Sequence, residues 1–266
     1  MMNSAALVSK TGPLARIVRS VVPRGLRPIG YLTFLVQRRT RLRVLKGPFA
    51  GMRYVSNSIG SAYLPKLLGI YERELVDAVE SMCTGCHALI VDIGAAEGYY
   101  AVGLALRNPQ ARVVAFEMEQ RGRDALREMA RLNAVDGQVT VKGRCEADDL
   151  KLTLAGTENA LVVCDVEGYE GCLLDPAAIP ELKRSTILAE THDFIQNGIT
   201  ESLRRRFEAT HRIQIIWQQR RRRQDFPWRT LGTALLPRSC LEWAVSEWRP
   251  ALMSWLWMQP RPPTGA

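Results

Sequence analysis

Short apolar runs alternate with longer amphipathic segments through the middle of this chain. Continuous apolar runs of this length are typical of strands that are buried on both faces of a parallel sheet. Several of the apolar runs in this chain end in an acidic residue. The predicted strands are Ala88–Ile93, Ala111–Glu117, Gln138–Gly143, Leu161–Val166 and Ser185–Glu190.

The segments between these strands have the apolar spacing of helices. YYAVGLALRNP follows the first predicted strand and stops at Asn108-Pro109, and QRGRDALREMARLNAV follows the second. Strands that alternate with helices at this spacing form a parallel sheet through right-handed crossovers, with helices on both faces. We therefore predict an α/β, doubly wound, Rossmann-like fold.

Polar residues cluster where the predicted strands end. In a doubly wound sheet, ligands bind outside the carboxyl ends of the strands, so these residues are candidates for a functional site. Capping of the following helix is the alternative interpretation for Asp165 or Asp193 taken singly. The residues at the strand ends are Asp92, Gly94, Glu117, Cys145, Glu146, Asp165, Glu167, Glu190, His192 and Asp193.

The turn after the first strand, Asp92-Ile-Gly-Ala-Ala-Glu-Gly98, departs from the dinucleotide fingerprint because Ala96 stands where a second glycine is expected. Close approach of a pyrophosphate needs that glycine. A cofactor without phosphates, such as S-adenosylmethionine, does not. Glu117 ends the second strand, where an acid can bind ribose hydroxyls, although NAD enzymes also place an acid there. The turn thus favours S-adenosylmethionine over NAD.

Four segments in order, VDIGAAEGYYAVGLA, VVAFEME, LVVCDVEGYEGCLL and ILAETHDF, resemble the FkbM family of S-adenosylmethionine-dependent methyltransferases. The resemblance covers roughly residues 69 to 194 and includes Tyr71-Glu72 before the glycine turn. The D-V-E-G-Y-E segment is its most specific part. The chain departs from the family pattern at Ala96-Glu97, where Asn-x is usual, and at Met118, where Pro is usual.

The resemblance implies O-methylation of a hydroxyl on a small-molecule, sugar, glycan or natural-product acceptor. It places the cofactor at Glu72, Asp92, Gly94, Ala95, Gly98, Glu117, Met118, Cys145, Glu146 and Asp165. A sugar hydroxyl is a poor nucleophile, so a general base or a divalent cation must assist it. Asp165, His192 and Glu167 are the predicted catalytic residues. Mg²⁺ held by Asp165, His192 and Asp193 is the alternative.

Charge is distributed unevenly along the chain. The net charge is +9, no acidic residue precedes Glu72, and further arginines cluster at 204–206 and 220–223. We predict a basic N-terminal extension over residues 1–50, a methyltransferase domain over 51–258 and a flexible tail over 259–266. Apolar residues between Leu14 and Leu26 alternate with arginines, which raises the alternative of peripheral membrane contact. No apolar run reaches the length of a membrane span, so we predict a cytoplasmic location.

Basic termini also suggest an RNA methyltransferase as a rival function. We disfavour nucleic acid as a partner because the acids of D-V-E-G-Y-E would repel phosphate. A non-catalytic Rossmann-like binding protein is a second rival. The acids at every strand end argue against it.

Two further motifs bear on cofactors and partners. Cys83-Thr-Gly-Cys86-His87 has the spacing of a c-type haem site. It directly precedes a buried strand, so we predict a connecting turn and expect no haem absorption. The Trp-rich segment near the C-terminus is predicted to pack as core or lid, with a sugar-binding lid as the alternative. Its tryptophans are Trp243, Trp248, Trp255 and Trp257.

Overall fold

The computed structural model of the chain describes residues 28–56 and 62–262. Within these ranges, seven strands form one sheet in the order β3-β2-β1-β4-β5-β7-β6. The strands are β1 Leu89–Ile93, β2 Arg112–Phe116, β3 Val139–Lys142, β4 Ala160–Cys164, β5 Thr186–Thr191, β6 His211–Trp217 and β7 Ser254–Pro260.

The predicted α/β, doubly wound fold is confirmed. Strands β1 to β5 lie within two residues of their predicted bounds and pair in parallel. The order reverses between β1 and β4, which is the switch point where such sheets bind ligands. The expectation of a purely parallel sheet was wrong, because β7 runs antiparallel between β5 and β6.

Helices and short helical turns connect the strands and cover the sheet. The helices are α1 Pro28–Thr40, α2 Tyr63–Leu68, α3 Val76–Thr84, α4 Tyr99–Arg107, α5 Gln120–Leu132, α6 Ala147–Leu154, α7 Glu170–Leu173, α8 Ile199–Phe207, α9 Leu231–Ala234 and α10 Arg238–Val245. Turns of 3₁₀-helix lie at Arg73–Leu75, Pro180–Arg184 and Arg223–Asp225.

Two apolar cores flank the sheet. On one face, Ile90, Val113 and Leu161 pack with residues of α1 to α5 and α10. On the other face, Val91 and Val162 pack with residues of α6 to α8. Alternate residues of a strand point to opposite faces, and both faces here are covered. This burial explains why β1 and β4 read as continuous apolar runs.

The region before the sheet packs against the domain from α1 onward. Leu32 and Val36 of α1 have no exposed surface and belong to the first core. The C-terminal boundary is also structured, since β7 extends to Pro260. Residues 14–26, for which peripheral membrane contact was the alternative, lie outside the described residues. Of the helices within the described ranges, none is long and apolar enough to cross a bilayer.

The cysteine motif forms the turn between α3 and β1. Cys83 is buried in the last turn of α3, and the helix ends at Thr84, directly before Gly85. Nδ1 of His87 lies 3.1 Å from Oδ1 of Asn159. A Cβ on Gly85 would lie 2.4 Å from Nε2 of His87, so the turn closes tightly over the imidazole. These contacts fit the predicted connecting turn.

Candidate active site

The carboxyl ends of three adjacent strands form a pocket. Asp92 lies on β1, Asp165 directly follows β4, and Glu190 lies near the end of β5. These three residues line the pocket together with Glu72, which precedes α3. Residues that the sequence separates by more than a hundred positions are thus brought to one edge of the sheet, as the strand-end rule predicts.

The glycine turn between β1 and α4 presses against the neighbouring strands. The backbone N–H groups of Gly94 and Ala95 both donate to the carbonyl oxygen of Phe116 at the end of β2, at 2.9 and 3.0 Å. Gly94 has φ +84°, and a Cβ there would lie 1.8 Å from the carbonyl oxygen of Asp165. Only glycine fits this position. The backbone of the turn therefore forms one wall of the pocket.

Asp92 carries a buried acceptor atom that no protein group satisfies. Asp92 is 3% exposed, and its Oδ2 has no hydrogen-bond partner within the described part of the chain. Burial raises the pKa of Asp92 to about 7, although a hydrogen bond from the Ala101 backbone opposes the shift. A buried oxygen without a partner is costly. An ammonium group in the pocket would satisfy it.

Asp92 should make stability depend on pH. Its pKa of about 7 in the folded protein exceeds the ordinary value of 3.8. The folded state therefore binds more protons, and stability is lost as pH rises between those values. We expect Asp92→Asn to melt at a higher temperature than the wild type at about pH 8, with a smaller difference at about pH 5.

Differential scanning calorimetry at both pH values would measure this difference. Asp148→Asn, an exposed change on α6, is the matched control and should melt like the wild type at each pH. An equal melting temperature for Asp92→Asn and the wild type at the higher pH would contradict the unpaired buried charge.

Glu117 follows β2 and is held beside the glycine turn. Its Oε2 accepts a hydrogen bond from the Ala96 N–H at 2.8 Å, and its Oε1 accepts one from the Glu119 N–H at 2.6 Å. A Cβ on Gly122 would lie 2.6 Å from Cγ of Glu117, so α5 approaches closely there. A carboxylate accepts about four hydrogen bonds. Glu117 therefore keeps capacity for two hydroxyl donors.

The structure places some of the predicted cofactor residues in the pocket lining and others next to it. Glu72, Asp92, Gly94, Ala95 and Asp165 line the pocket. Glu117 and Gly98 adjoin it through the glycine turn, since Ala96 donates to Glu117 and the Gly98 N–H donates to the Ala95 carbonyl oxygen at 2.7 Å.

The remaining predicted cofactor residues lie outside the pocket lining. Met118 is 64% exposed. Cys145 is buried, and burial raises the pKa of its thiol to about 12. Glu146 forms an ion pair with Arg144 at 2.7 Å and accepts a hydrogen bond from the Tyr169 hydroxyl at 3.0 Å. Their contact with a cofactor stays a prediction.

A buried carboxylate orients His192. Glu170, on α7, is completely buried, and its Oε1 lies 2.5 Å from Nδ1 of His192. The same oxygen accepts hydrogen bonds from the backbone N–H groups of Val166 and Gly168. Because an ionised carboxylate only accepts, the proton of the neutral imidazole lies on Nδ1. Nε2 then carries the lone pair.

Nε2 of His192 faces the carboxylates of the pocket. It lies 3.6 Å from Asp165, 3.8 Å from Glu190 and 3.9 Å from Glu167. Burial alone would lower the pKa of His192. The hydrogen bond to Glu170 and the charges of Asp165 and Glu167 outweigh burial, so the pKa is raised. His192 is thus held through Nδ1 and faces carboxylates through Nε2, with 3% of its side chain exposed, an arrangement that makes it a candidate for proton transfer.

Asp165 shares this environment. Its side chain is 42% exposed, yet desolvation by the surrounding protein raises its pKa to about 6 even though His192 opposes the shift. Glu167, two residues later, is 79% exposed and adopts φ +52°. The three predicted catalytic residues therefore meet at Nε2 of His192, with Glu167 on the solvent side.

A potential cation site overlaps the same residues. One oxygen each from Asp165 and Glu190 and one nitrogen of His192 lie within 4.8 Å of one another. Asp193, the third ligand predicted from the sequence, is not in this group. It accepts hydrogen bonds from the N–H groups of Gly198 and Thr200 at the start of α8. Asp193 therefore caps a helix, which was the alternative interpretation.

The sequence did not identify Arg249, which joins several acids of the site. Its guanidinium forms ion pairs with Glu72 and Glu190, and it contacts Glu247 at 3.2 Å. The guanidinium also lies over the ring of Trp255, 4.9 Å from its centroid. The side chain is 11% exposed. Arg249 thus neutralises buried carboxylates of the site.

A second buried ion pair accounts for Glu97, one of the departures from the FkbM pattern. Glu97 is completely buried and binds Lys66 at 2.7 Å and the Tyr54 hydroxyl at 2.6 Å. Lys66 in turn lies over the ring of Tyr71, 4.9 Å from its centroid. Lys66 and Tyr71 line the pocket. Glu97 therefore stabilises the wall of the pocket through Lys66, which lies on α2.

Comparison with known proteins gives likeness in structure alone. No family model matches the chain, and no curated protein matches it. One similar solved structure is an O-methyltransferase from Bacillus cereus in complex with SAH, at 16% identity and TM-score 0.41, covering 77% of this chain and 90% of that one. Another is the O-methyltransferase TomG of tomaymycin synthesis from Streptomyces achromogenes, in complex with SAM, at 14% identity and TM-score 0.41, covering 77% and 88%.

A tRNA methyltransferase is also among the similar structures. The M1A22 tRNA methyltransferase TrmK from B. subtilis has 10% identity and TM-score 0.39, and the alignment covers 68% of this chain and 64% of that one. Identities and TM-scores this low do not extend to substrate or mechanism. The likeness to the FkbM family stays a prediction.

Proposed function

We propose that the protein is an S-adenosylmethionine-dependent methyltransferase of the FkbM type, which methylates a hydroxyl of a sugar, glycan or natural-product acceptor. The observation that carries the proposal is the pairing of His192 with buried Glu170, because Nε2 of His192 lies 3.6 Å from Asp165 and 3.8 Å from Glu190, two residues that line the pocket of the glycine turn. This places a group that can accept a proton beside a site that has the donors and acceptors for the cofactor.

The residues around the glycine turn fit S-adenosylmethionine. The buried Oδ2 of Asp92 lacks a partner among the described residues and would accept from an ammonium group. Glu117 is fixed by two backbone N–H groups and would accept from ribose hydroxyls. Ala96 in place of glycine disfavours a pyrophosphate. When bound, the cofactor supplies a methyl group already activated by a positively charged sulfur.

The protein must then position the acceptor and take up a proton. S-adenosylmethionine held beside Asp92 and Glu117 would supply the methyl group and leave as S-adenosylhomocysteine, and Nε2 of His192 would take up the proton of the acceptor hydroxyl. Glu170 holds the imidazole and stabilises the imidazolium that forms. Asp165, 3.6 Å from Nε2, is placed to stabilise the same positive charge. No cation is needed for this proton balance.

Calorimetric titration with S-adenosylmethionine and with NAD would test the cofactor assignment. Binding of the first and no binding of the second is expected. If neither binds, the alternative of a non-catalytic Rossmann-like protein replaces the proposal. A screen for methyl transfer from labelled cofactor to glycans and natural-product fragments would then identify the acceptor.

Glu117→Ala should weaken cofactor binding by about 2–3 kcal/mol, because two hydroxyl donors lose a charged acceptor. The same calorimetric titration measures the loss. Glu119→Ala is the matched control. It removes a neighbouring carboxylate, keeps the backbone N–H that binds Glu117, and should bind the cofactor like the wild type. Unchanged affinity in Glu117→Ala would remove Glu117 from the cofactor site.

A further inference from the structure

A second and larger cleft adjoins the candidate active site. Its volume is about 990 Å³, and it lies between the segment after β6 and the loop before β7. This volume is in the upper range of small-molecule sites. The lining residues that bear on its chemistry are Arg220, Arg222, Arg223, Trp248, Arg249 and Leu252.

Three arginines of the cleft are unpaired. Arg220, Arg222 and Arg223 are exposed, and within the described ranges none of their guanidinium groups forms an ion pair. Arg221 differs, because it is buried and binds Glu74 and Glu247, each at 2.6 Å. Of the four consecutive arginines, Arg221 therefore contributes to the fold through buried ion pairs. The other three leave the cleft positively charged.

Trp248 is held on the same cleft in an unfavourable backbone conformation. Its φ is +58°, a region that bulky residues rarely adopt. The residue is 46% exposed, and its ring contacts Trp243 with a centroid distance of 5.6 Å. Strain of this kind persists where the surrounding structure imposes it, often at a ligand site. The strained backbone presents a flat aromatic surface next to unpaired cations.

The cleft and the active-site pocket share a wall. Arg249 lines the cleft, and its guanidinium binds Glu190, which lines the pocket. Glu190 lies 3.8 Å from Nε2 of His192. A molecule in the cleft is thus separated from the candidate base by a single ion pair.

Resting on the proposed function, we infer that this cleft binds one end of the acceptor, a phosphate or diphosphate group next to a sugar ring, while the hydroxyl that receives the methyl group lies beyond Arg249 in the pocket. Guanidinium groups bind phosphate oxygens in pairs of parallel hydrogen bonds. The indole of Trp248 offers an apolar face against which a sugar ring packs. Arg249 then lies at the inner end of the cleft, toward the hydroxyl that receives the methyl group.

Calorimetric binding of phosphate probes to the full chain tests the inference. The probes are inorganic pyrophosphate, UDP-glucose, phosphatidylcholine vesicles carrying a polyprenyl diphosphate sugar, and a short single-stranded RNA. The variant Arg220→Gln/Arg222→Gln/Arg223→Gln should bind UDP-glucose at least about tenfold more weakly. The control Arg38→Gln/Arg39→Gln/Arg41→Gln removes the same charge from exposed positions around the end of α1 and should bind like the wild type.

Trp248→Ala distinguishes binding of the sugar ring from binding of the phosphate. It should weaken binding of UDP-glucose by about tenfold and leave pyrophosphate binding within about twofold of wild type. Tighter binding to the vesicles than to UDP-glucose identifies a lipid-linked acceptor, and the reverse identifies a free one. Each result supports the same phosphate chemistry.

Three outcomes would overturn the inference: no phosphate probe binds, the two triple variants lose affinity equally, or RNA binds more tightly than every small probe. Titration of S-adenosylmethionine into the same proteins distinguishes failure of the cleft assignment from failure of the proposed function. If the cofactor binds and no phosphate probe does, the cleft assignment fails and the proposed function stands. If the cofactor does not bind, the proposed function itself fails.

Discussion

His192→Ala should lower turnover by about 10²–10⁴-fold and leave cofactor affinity nearly intact, because it removes the group that accepts the hydroxyl proton. In the wild type, activity should rise with pH as the imidazolium loses its proton. The rise should centre above the ordinary value for histidine, since Glu170, Asp165 and Glu167 together raise the pKa of His192.

Glu170→Gln tests the orienting role. It removes the charged partner of Nδ1, so the pH profile should shift to lower pH and maximal turnover should fall. A purely structural role would lower the amount of folded enzyme without moving the profile. Initial rates of methyl transfer across pH, with an acceptor found by screening, give both quantities.

His87→Ala is the control for the loss of a buried histidine. His87 lies in the turn before β1 and contacts Asn159, away from the pocket, so its replacement should leave turnover per folded molecule unchanged. Full activity in His192→Ala would contradict the assignment. Loss of wild-type activity on chelation, restored by Mg²⁺, would replace the base with a cation at Asp165, Glu190 and His192.

Arg249→Met should lower the free energy of unfolding by about 3–5 kcal/mol near neutral pH, because removal of one partner leaves buried charges uncompensated. Glu72 and Glu190, each with 3% side-chain exposure, lose their shared cation. Burial already holds the pKa of Glu190 well above its ordinary value, and loss of the opposing charge of Arg249 raises that pKa further. The variant should therefore regain stability as pH falls and lose it as pH rises.

Urea unfolding at neutral and acid pH measures the effect. Adding Glu190→Gln to Arg249→Met should restore part of the loss, since one buried charge is removed. Arg204→Met is the control. Its ion pairs with Glu201 and Glu208 are exposed, and exposed pairs contribute about 1 kcal/mol or less. Equal stability of Arg249→Met and wild type at neutral pH would argue against a structural ion pair here.

The sequence was sufficient for the parts of the fold that local patterns encode. Strands β1 to β5 appear as continuous apolar runs because both faces of the sheet are covered. Strand β6 was missed because it lies at the sheet edge and most of its residues are exposed. Strand β7 was read as a Trp-rich core or lid segment. Trp255 and Trp257 are indeed buried, but as part of a strand.

The sequence predicted those residues of the candidate site that lie at strand ends. Asp92, Asp165 and His192 were found by that rule. The rule does not distinguish a ligand from a helix cap, so Asp193 was grouped with them although it caps α8. Arg249 could not be found, because its partner Glu72 is 177 positions away in the chain. No local pattern signals such a contact.

The insertion of β7 between β5 and β6 imposes an order on folding during synthesis. Strand β6 leaves the ribosome first, but among the described residues its only sheet partner is β7, so it stays without a partner until β7 has also emerged. Arg249 emerges in the same late interval, and until then Glu72 and Glu190 lack their cation. Domains of this size often expose unpaired strand edges while incomplete. The nascent chain is therefore most prone to aggregation just before β7 is added, and slower translation after β6 should lower the yield of soluble protein.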